Sequence, residues 1–327
     1  MQAFWIILAI VALLAVIEWF VQRKTISIIR PIFETSPTFN VESFDADPTA
    51  ESVRFRTSDG LELAGAIHRH KDLEPKGLVL FLHEFGSTHR SAMSYCEALW
   101  NAGFDIFAFD IRNHGDSESL ANYKPLHWLT HYEVADALAA VDYIQSRDDL
   151  KNLPLGVFGI SKGGGAALAI AAQRPEISAV ACEGTFCTFL MMMHYTRRWI
   201  NVYLPEWISS ILPDWHLKLS LKLTARSSEK IRSCQYYDLE AQLHRLSDRP
   251  VYVISGKRDT YVPPELAMKM ASLMGKGEED VWVVRKAKHN MARKVAQEEY
   301  DERLVNFFFQ PLRPPVSATR AADLSLV

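Results

Sequence analysis

Several features that define other protein classes are missing from this 327-residue chain. It has only four cysteines, without C-x-x-C spacing or a nearby histidine pair, so zinc-site and thioredoxin-like patterns are lacking. No Asn-x-Ser/Thr acceptor occurs, and nothing therefore indicates a glycosylated, secreted domain. The formal net charge of −3 argues against a nucleic-acid partner, which normally needs a basic stripe. We therefore expect no metal, no cofactor and mostly buried thiols at Cys96, Cys182, Cys187 and Cys234.

A long apolar run is present at the N-terminus. No polar residue occurs from Ala3 to Ile17, and three more apolar residues follow Glu18. Nineteen helical residues span roughly 28 Å, close to the hydrocarbon thickness of a bilayer. A cleaved signal peptide is the alternative, but the run lacks a basic n-region and an Ala-x-Ala cleavage pattern. We predict a single transmembrane anchor over residues 1–22.

The segments around the folded domain differ from it in composition. Basic residues after the apolar run place the bulk of the chain on the cytoplasmic side by the positive-inside rule. These residues are Arg23, Lys24 and Arg30. Residues 23–50 contain three prolines and scattered polar residues, and are predicted to be a linker. Residues 311–327 are rich in Pro, Ala and Ser, and are predicted to be disordered.

The stretch 51–310 shows the pattern of one α/β domain. Segments 52–57 and 61–68 alternate apolar and polar residues around a turn, which predicts an antiparallel hairpin. Strands and helices then alternate, which implies a mostly parallel twisted sheet with helices on both faces. The predicted strands are 77–82, 104–109, 155–158, 177–182, 251–255 and 281–284, and the predicted helices are 91–102, 130–146, 164–173 and 298–309.

An insertion interrupts this alternation between residues 186 and 249. About sixty residues separate two strands there, and they are rich in methionine, tryptophan and leucine. An insertion of this size and apolarity predicts a helical cap over the carboxyl edge of the sheet. Its aromatic residues either pack the cap's own small core, or line an acyl pocket or touch a membrane.

The pentapeptide Gly159–Gly163 has the pattern G-x-S-x-G. It lies between the apolar strand 155–158 and an alanine-rich helical stretch, which is the setting of a nucleophile elbow. The two glycines are needed because a side chain there would collide with the neighbouring strand or helix. This context predicts that Ser161 is a nucleophile.

A serine nucleophile needs a general base and an acid that orients the base. Asp259 follows the strand 251–255, at the sheet edge where catalytic groups converge. His289 follows the strand 281–284, and it is the only histidine after Asp259. We therefore predict Asp259 as the acid and His289 as the base.

The oxyanion of the tetrahedral intermediate needs two backbone N–H donors. Lys162 follows the nucleophile at the positive end of a helix and supplies one. The loop after strand 77–82 supplies the other, with Phe85 as the first choice and Glu84 as the second. His83 is predicted to brace this loop without taking part in the chemistry.

These motifs together resemble the α/β-hydrolase superfamily, and within it the membrane-associated esterase- and lipase-like serine hydrolases. The resemblance covers residues 51–310 and implies an α/β-hydrolase fold with Ser161, Asp259 and His289 as the triad. It implies Phe85 and Lys162 as oxyanion donors. The stretches that carry it are Leu82–Gly86, Phe109–Ser117, Gly159–Gly163, Ser255–Asp259 with Val262-Pro263, and His289.

One departure from the family pattern affects the oxyanion loop. The family commonly has His-Gly where this chain has His83-Glu84. A glutamate there tilts the loop or places a carboxylate at the pocket mouth. Asp110 matches a position that is usually structural in the family, and it is therefore excluded from the triad.

The sequence favours a serine hydrolase that acts on a carboxylic ester or thioester of a lipophilic acyl substrate through an acyl-enzyme. Two alternatives stay open. One is a peptidase or amidase that uses the same triad. The other is a membrane-tethered scaffold that has the hydrolase fold without catalysis.

Overall fold

The described residues of the computed structural model form one eight-stranded sheet. They are 1–36, 42–71, 73–203, 205, 207 and 213–312. The strands are β1 (Glu51–Arg56), β2 (Glu62–His68), β3 (Leu78–Leu82), β4 (Asp105–Phe109), β5 (Leu155–Ile160), β6 (Ile177–Glu183), β7 (Val251–Gly256) and β8 (Val281–Val284). They lie in the order β1-β2-β4-β3-β5-β6-β7-β8.

Only the hairpin end of the sheet is antiparallel. β1 pairs antiparallel with β2, and β2 pairs antiparallel with β4. The remaining neighbours are parallel, so the carboxyl ends of β3, β5, β6, β7 and β8 lie at one edge. The predicted mostly parallel α/β sheet is confirmed.

Helices cover both faces of this sheet. The helices are α1 (Gln2–Glu34), α2 (Ala92–Asn101), α3 (His131–Ser146), α4 (Lys162–Ala171), α5 (Thr188–Tyr203), α6 (Asp214–Arg232), α7 (Pro264–Leu273), α8 (Ala292–Val295) and α9 (Gln297–Phe309). Apolar side chains of α3, α4 and α7 pack on one face, and those of α2 and α9 pack on the other. Because both faces are covered, β3, β4 and β5 are buried along their whole length.

Helix α7 was not among the predicted elements. Its sequence carries a start signal, since Pro264 occupies the first helical position. Leu266, Ala267, Met270 and Ala271 are buried and recur at helical spacing. The polar loop that carries Asp259 lies directly before this helix, and the polar residues make the helical spacing harder to see in the sequence.

The described part of the insertion 186–249 forms a mainly helical cap that contains α5 and α6. Its interior contains Met191, Met192 and Leu221, which pack with Phe186 and with Trp128 of the main domain. These residues therefore stabilise the cap in the way that the packing alternative expected. The tryptophans at 199, 207 and 215 remain exposed instead.

The N-terminal helix is longer than the predicted anchor. α1 continues to Glu34, so the linker prediction over 23–50 is wrong for residues 23–34. The extension is held by tertiary contacts, because Phe33 is buried against Trp128 and Tyr236. α1 is long and apolar enough to span a membrane, by its length and composition. The predicted disordered tail falls, from residue 313 onward, outside the described residues.

Candidate active site

Ser161 occupies the tight turn between β5 and α4. Its backbone has φ 51° and ψ −115°, a conformation that non-glycine residues rarely adopt. A Cβ on Gly163 would collide with the carbonyl oxygens of Leu82 and His83 at the end of β3. A Cβ on Gly159 would collide with the backbone of Gly163. The predicted need for both glycines is confirmed, and the turn is a close-packed elbow.

The three residues predicted to form the triad lie together at the carboxyl edge of the sheet. The Oγ of Ser161 is 3.1 Å from Nε2 of His289, and Nδ1 of His289 is 2.7 Å from Oδ2 of Asp259. These distances are within hydrogen-bonding range, so a proton can pass from the serine to an imidazole that the carboxylate orients.

The loop after β7 fixes the carboxylate of Asp259. Its Oδ1 accepts the backbone N–H groups of Tyr261 at 2.8 Å and Val262 at 2.7 Å. Only Oδ2 is left for His289, and the side chain of Asp259 is buried. The ring of Tyr261 meets the imidazole edge to face at 4.9 Å, which limits its rotation.

The loop after β3 reaches the elbow from the other side. The ring of Phe85 lies 5.6 Å from Nζ of Lys162, so the two predicted oxyanion residues are neighbours. Lys162 is the first residue of α4, where backbone N–H groups have no partner within the helix. Its side chain points away from solvent, and Nζ donates to Glu133 and to the carbonyl of Leu126, each at 2.7 Å.

His83 has the bracing position that the sequence predicted. Its Nδ1 lies 2.7 Å from the carbonyl oxygen of Glu84, and its Nε2 accepts the backbone N–H of Ile111 at 3.2 Å. Burial, with His114 nearby, lowers the pKa of His83 to about 4. A neutral imidazole with Nδ1–H donating therefore ties the loop to the chain after β4.

Glu183 is a buried residue of the site that the sequence analysis did not single out. Its backbone carbonyl accepts the N–H of Ser161 at 2.7 Å. Its carboxylate accepts the N–H of Ala292 at 2.9 Å and the hydroxyl of Tyr300 at 2.8 Å. Burial raises the pKa of Glu183 to about 7. A charged residue at the end of a buried strand was the signal that could have identified it.

Asp110 is held in a structural role. Its carboxylate accepts the backbone N–H groups of His89 at 2.6 Å and Asp116 at 2.8 Å. Ligand atoms of these three residues come within 4.8 Å of one another. Both oxygens of Asp110 accept backbone N–H groups, and the carboxylate thereby ties the chain after β4 to the loop before α2.

A cavity of about 550 Å³ opens onto Ser161 and His289. Among its described lining residues, none belongs to the insertion 186–249. Its apolar and aromatic lining residues are Phe44, Phe85, Tyr95, Tyr261 and Met291, and its charged lining residues are Glu42, Glu84, Lys288, Arg293 and Lys294. The segment before the domain therefore lines this cavity, and the described aromatic residues of the cap do not.

The sheet order, the elbow after β5 and the groups on the loops after β7 and β8 define an α/β-hydrolase. Residues 73–299 match the sequence profile of the family described as serine aminopeptidase, S33. This match covers more than half of the chain, and the chain belongs to that family.

The chain is also similar to individual proteins. The chain is 25% identical to the uncharacterised protein YfhR of Escherichia coli O157:H7 over 278 residues, 83% of this chain and 85% of YfhR. It is similar in structure to the Pyrococcus furiosus esterase Pf2001, with a TM-score of 0.59, 21% identity and coverage of 85% and 97% of the two chains. That likeness shows the shared fold.

A third similarity is more local. Two Mycobacterium tuberculosis proteins with phosphoribosyl transferase in their names are 32% identical to this chain over 114 residues, or 34% of its length. The chain spans about a quarter of the length of those relatives. Their names therefore describe proteins with much additional sequence.

Proposed function

We propose that the protein is a membrane-anchored serine hydrolase that cleaves a carboxylic ester or thioester with an apolar acyl part. The observation that carries the proposal is the chain of hydrogen bonds from Ser161 through His289 to Asp259, at the floor of an open cavity. An esterase-like structural neighbour and the family match are consistent with hydrolysis.

In this mechanism Ser161 attacks the substrate carbonyl while Nε2 of His289 takes the hydroxyl proton. Asp259 holds the imidazole and stabilises its positive charge. The backbone amides of Lys162 and Phe85 donate to the oxyanion. His289 then protonates the leaving group. A water molecule, deprotonated by the same imidazole, hydrolyses the acyl-enzyme.

The walls of the cavity favour a compact acyl group over a long extended one. Phe44, Phe85, Tyr261 and Met291 line the same cavity as Ser161 and provide apolar contact. The cavity volume of about 550 Å³ lies within the range of small-molecule sites. The charged lining residues then suit a more polar part of the substrate.

The N-terminal helix supports the membrane part of the proposal. The large apolar side chains between Phe4 and Ile17 are all exposed on α1, on every side of the helix. An apolar helix of this length without protein around it fits the hydrocarbon core of a bilayer. Carbonate extraction and protease protection of the full chain test anchoring and orientation.

The direct test of the chemistry is labelling by a fluorophosphonate probe, with the modified peptide identified by mass spectrometry. The wild type should be labelled at Ser161, and Ser161→Ala should lose the label while its turnover of a short p-nitrophenyl ester falls by about 10⁴ to 10⁶. Ser272→Ala, which changes an exposed serine on α7, serves as the matched control. An unlabelled, folded wild type would refute the proposal and favour the scaffold alternative.

A second candidate function is hydrolysis of an amide beside a free amine. The carboxylates of Glu42 and Glu84 line the cavity, and since Glu42 pairs with Lys294, Glu84 is the counter-charge that a substrate ammonium would meet. Comparing an aminoacyl amide with a medium-chain ester separates the two functions. If the amide is the better substrate, Glu84→Gln should lower kcat/KM for it while leaving ester hydrolysis nearly unchanged.

A further inference from the structure

The second half of α1 is packed along cap helix α6. Glu18 lies 3.1 Å from Nδ1 of His216 at the start of α6. Near the other end, Ser228 donates its hydroxyl to Glu34 at 2.7 Å, and Arg30 reaches Ser227 at 3.3 Å. The two helices therefore run in the same direction, over about 24 Å of α1.

Small side chains allow this close approach. Ser220, Thr224 and Ser228 recur every four residues on α6 and are buried, as is Gln22 of α1. At the end of α1, the ring of Phe33 stacks on Trp128 of the main domain, with 4.8 Å between the ring centroids. The part of α1 beyond Glu18 is thus a continuous helix that joins the apolar segment to the cap.

This packing fixes which part of the cap lies beside the apolar segment. The run 3–17 ends where Glu18 meets His216, so the start of α6 lies at that level. An ion pair between Arg197 and Asp214 holds the second half of α5 beside the start of α6. The start of α6 and the part of α5 that pairs with it therefore lie beside the exit of α1 from its apolar run, and we call this region the tip of the cap.

The side chains at this tip are unusually apolar for a protein surface. Trp199 is 52% exposed, Val202 68%, Trp207 66% and Trp215 63%. We refer to these four residues as the cap tip. Tryptophan is enriched where proteins meet the membrane interface, because its ring is apolar and its N–H is polar. Exposed basic side chains at Arg198 and Lys218 flank the cap tip and suit anionic lipid headgroups.

We propose that the cap tip inserts into the interface of the same bilayer that holds α1. This inference rests on the membrane anchoring proposed above, and adds a second contact that sets the orientation of the catalytic domain. The partner is a phospholipid surface, because the cap tip is continuous with the apolar segment and carries both tryptophan and positive charge. Insertion would place these side chains about 5–10 Å into the headgroup and acyl boundary.

Spin labels on the full chain in vesicles of phosphatidylcholine and phosphatidylglycerol test this inference. The four native cysteines are buried, so labelling is directed to the introduced one. The tip positions are Trp215→Cys and Val202→Cys. The matched control is Ile231→Cys, an exposed apolar residue at the opposite end of α6. Ile10→Cys reports on α1.

Accessibility to oxygen and to a water-soluble nickel chelate gives the depth of each label. We expect both tip labels at about 5–10 Å below the phosphates, Ile10 deeper, and Ile231 in water. Tip labels as water-exposed as Ile231, with Ile10 in lipid, would overturn the inference and leave anchoring intact. Ile10 outside lipid would overturn both. Dipolar broadening between tip labels without lipid depth would show that a second copy covers the tip, and would also refute the inference.

Discussion

Replacing Asp259 by Asn is the sharpest test of the proposed triad, because the structure dictates how the new side chain must sit. Asp259 accepts two backbone N–H groups, from Tyr261 and Val262, on one oxygen. The asparagine oxygen must take that position, since an NH₂ group there would face two donors. The NH₂ group then points at Nδ1 of His289, which has to become an acceptor.

This arrangement puts the proton of His289 on Nε2, the atom that should accept the proton of Ser161. The base is therefore in the wrong tautomer although no atom has moved far. We expect kcat to fall by about 10⁴. At 1.36 kcal/mol for each tenfold change, this corresponds to about 5 kcal/mol of transition-state stabilisation.

The assay is hydrolysis of p-nitrophenyl butyrate, measured beside thermal unfolding to show that the variant is folded. Asp248→Asn is a suitable control, because Asp248 is exposed and lies before the opposite end of β7. A folded Asp259→Asn variant that loses less than tenfold would refute the reasoning and assign the orienting acid to another residue.

Three further perturbations probe the surroundings of the site. Gly163→Ala should abolish ester hydrolysis and lower the melting temperature, whereas Gly165→Ala, whose Cβ would meet its nearest neighbour at 3.4 Å, should be tolerated in the same assays. Lys162→Met leaves the buried carboxylate of Glu133 without its partner, and Glu133→Leu leaves the buried ammonium of Lys162 alone. Each variant should lower the free energy of unfolding in urea by about 3–5 kcal/mol, and the double variant should lower it by less than the sum. Glu183 has a folded pKa raised from 4.5 to about 7, so the unfolded state loses its proton first and stability declines as pH rises between these values. The free energy of unfolding should fall by about 3 kcal/mol over this range, as measured by urea unfolding at pH values between 4.5 and 8. In Glu183→Gln this pH dependence should disappear. The same pH dependence in the variant and the wild type would contradict the assignment.

The sheet and the positions of its catalytic candidates could be predicted because they follow from local rules. Each strand is a short apolar run, and parallel strands carry their following loops to one edge. That rule alone brings Ser161, Asp259 and His289 together across 128 residues of sequence. Their catalytic roles remain a prediction that the variants above test.

The features that escaped prediction depend on contacts between distant segments. Residues 23–34 have no strong helical pattern, and their helix is stabilised where Phe33 and Glu34 meet the main domain and α6. Phe44 lines the cavity from a segment that was predicted to be a linker. Such contacts are set by how the chain returns to the domain, and sequence periodicity carries no information about that.

Tyr195 links the cap to the loop that carries Asp259. Its hydroxyl, on α5, lies 2.7 Å from the carbonyl oxygen of Thr260 and 2.8 Å from that of Tyr261, on the loop that carries Asp259. Lifting α5 would either break this hydrogen bond or pull the loop away from His289. Because the described residues of the cap do not line the cavity, a displacement of α5 would act on the position of Asp259 through this loop and would not act directly on a bound substrate.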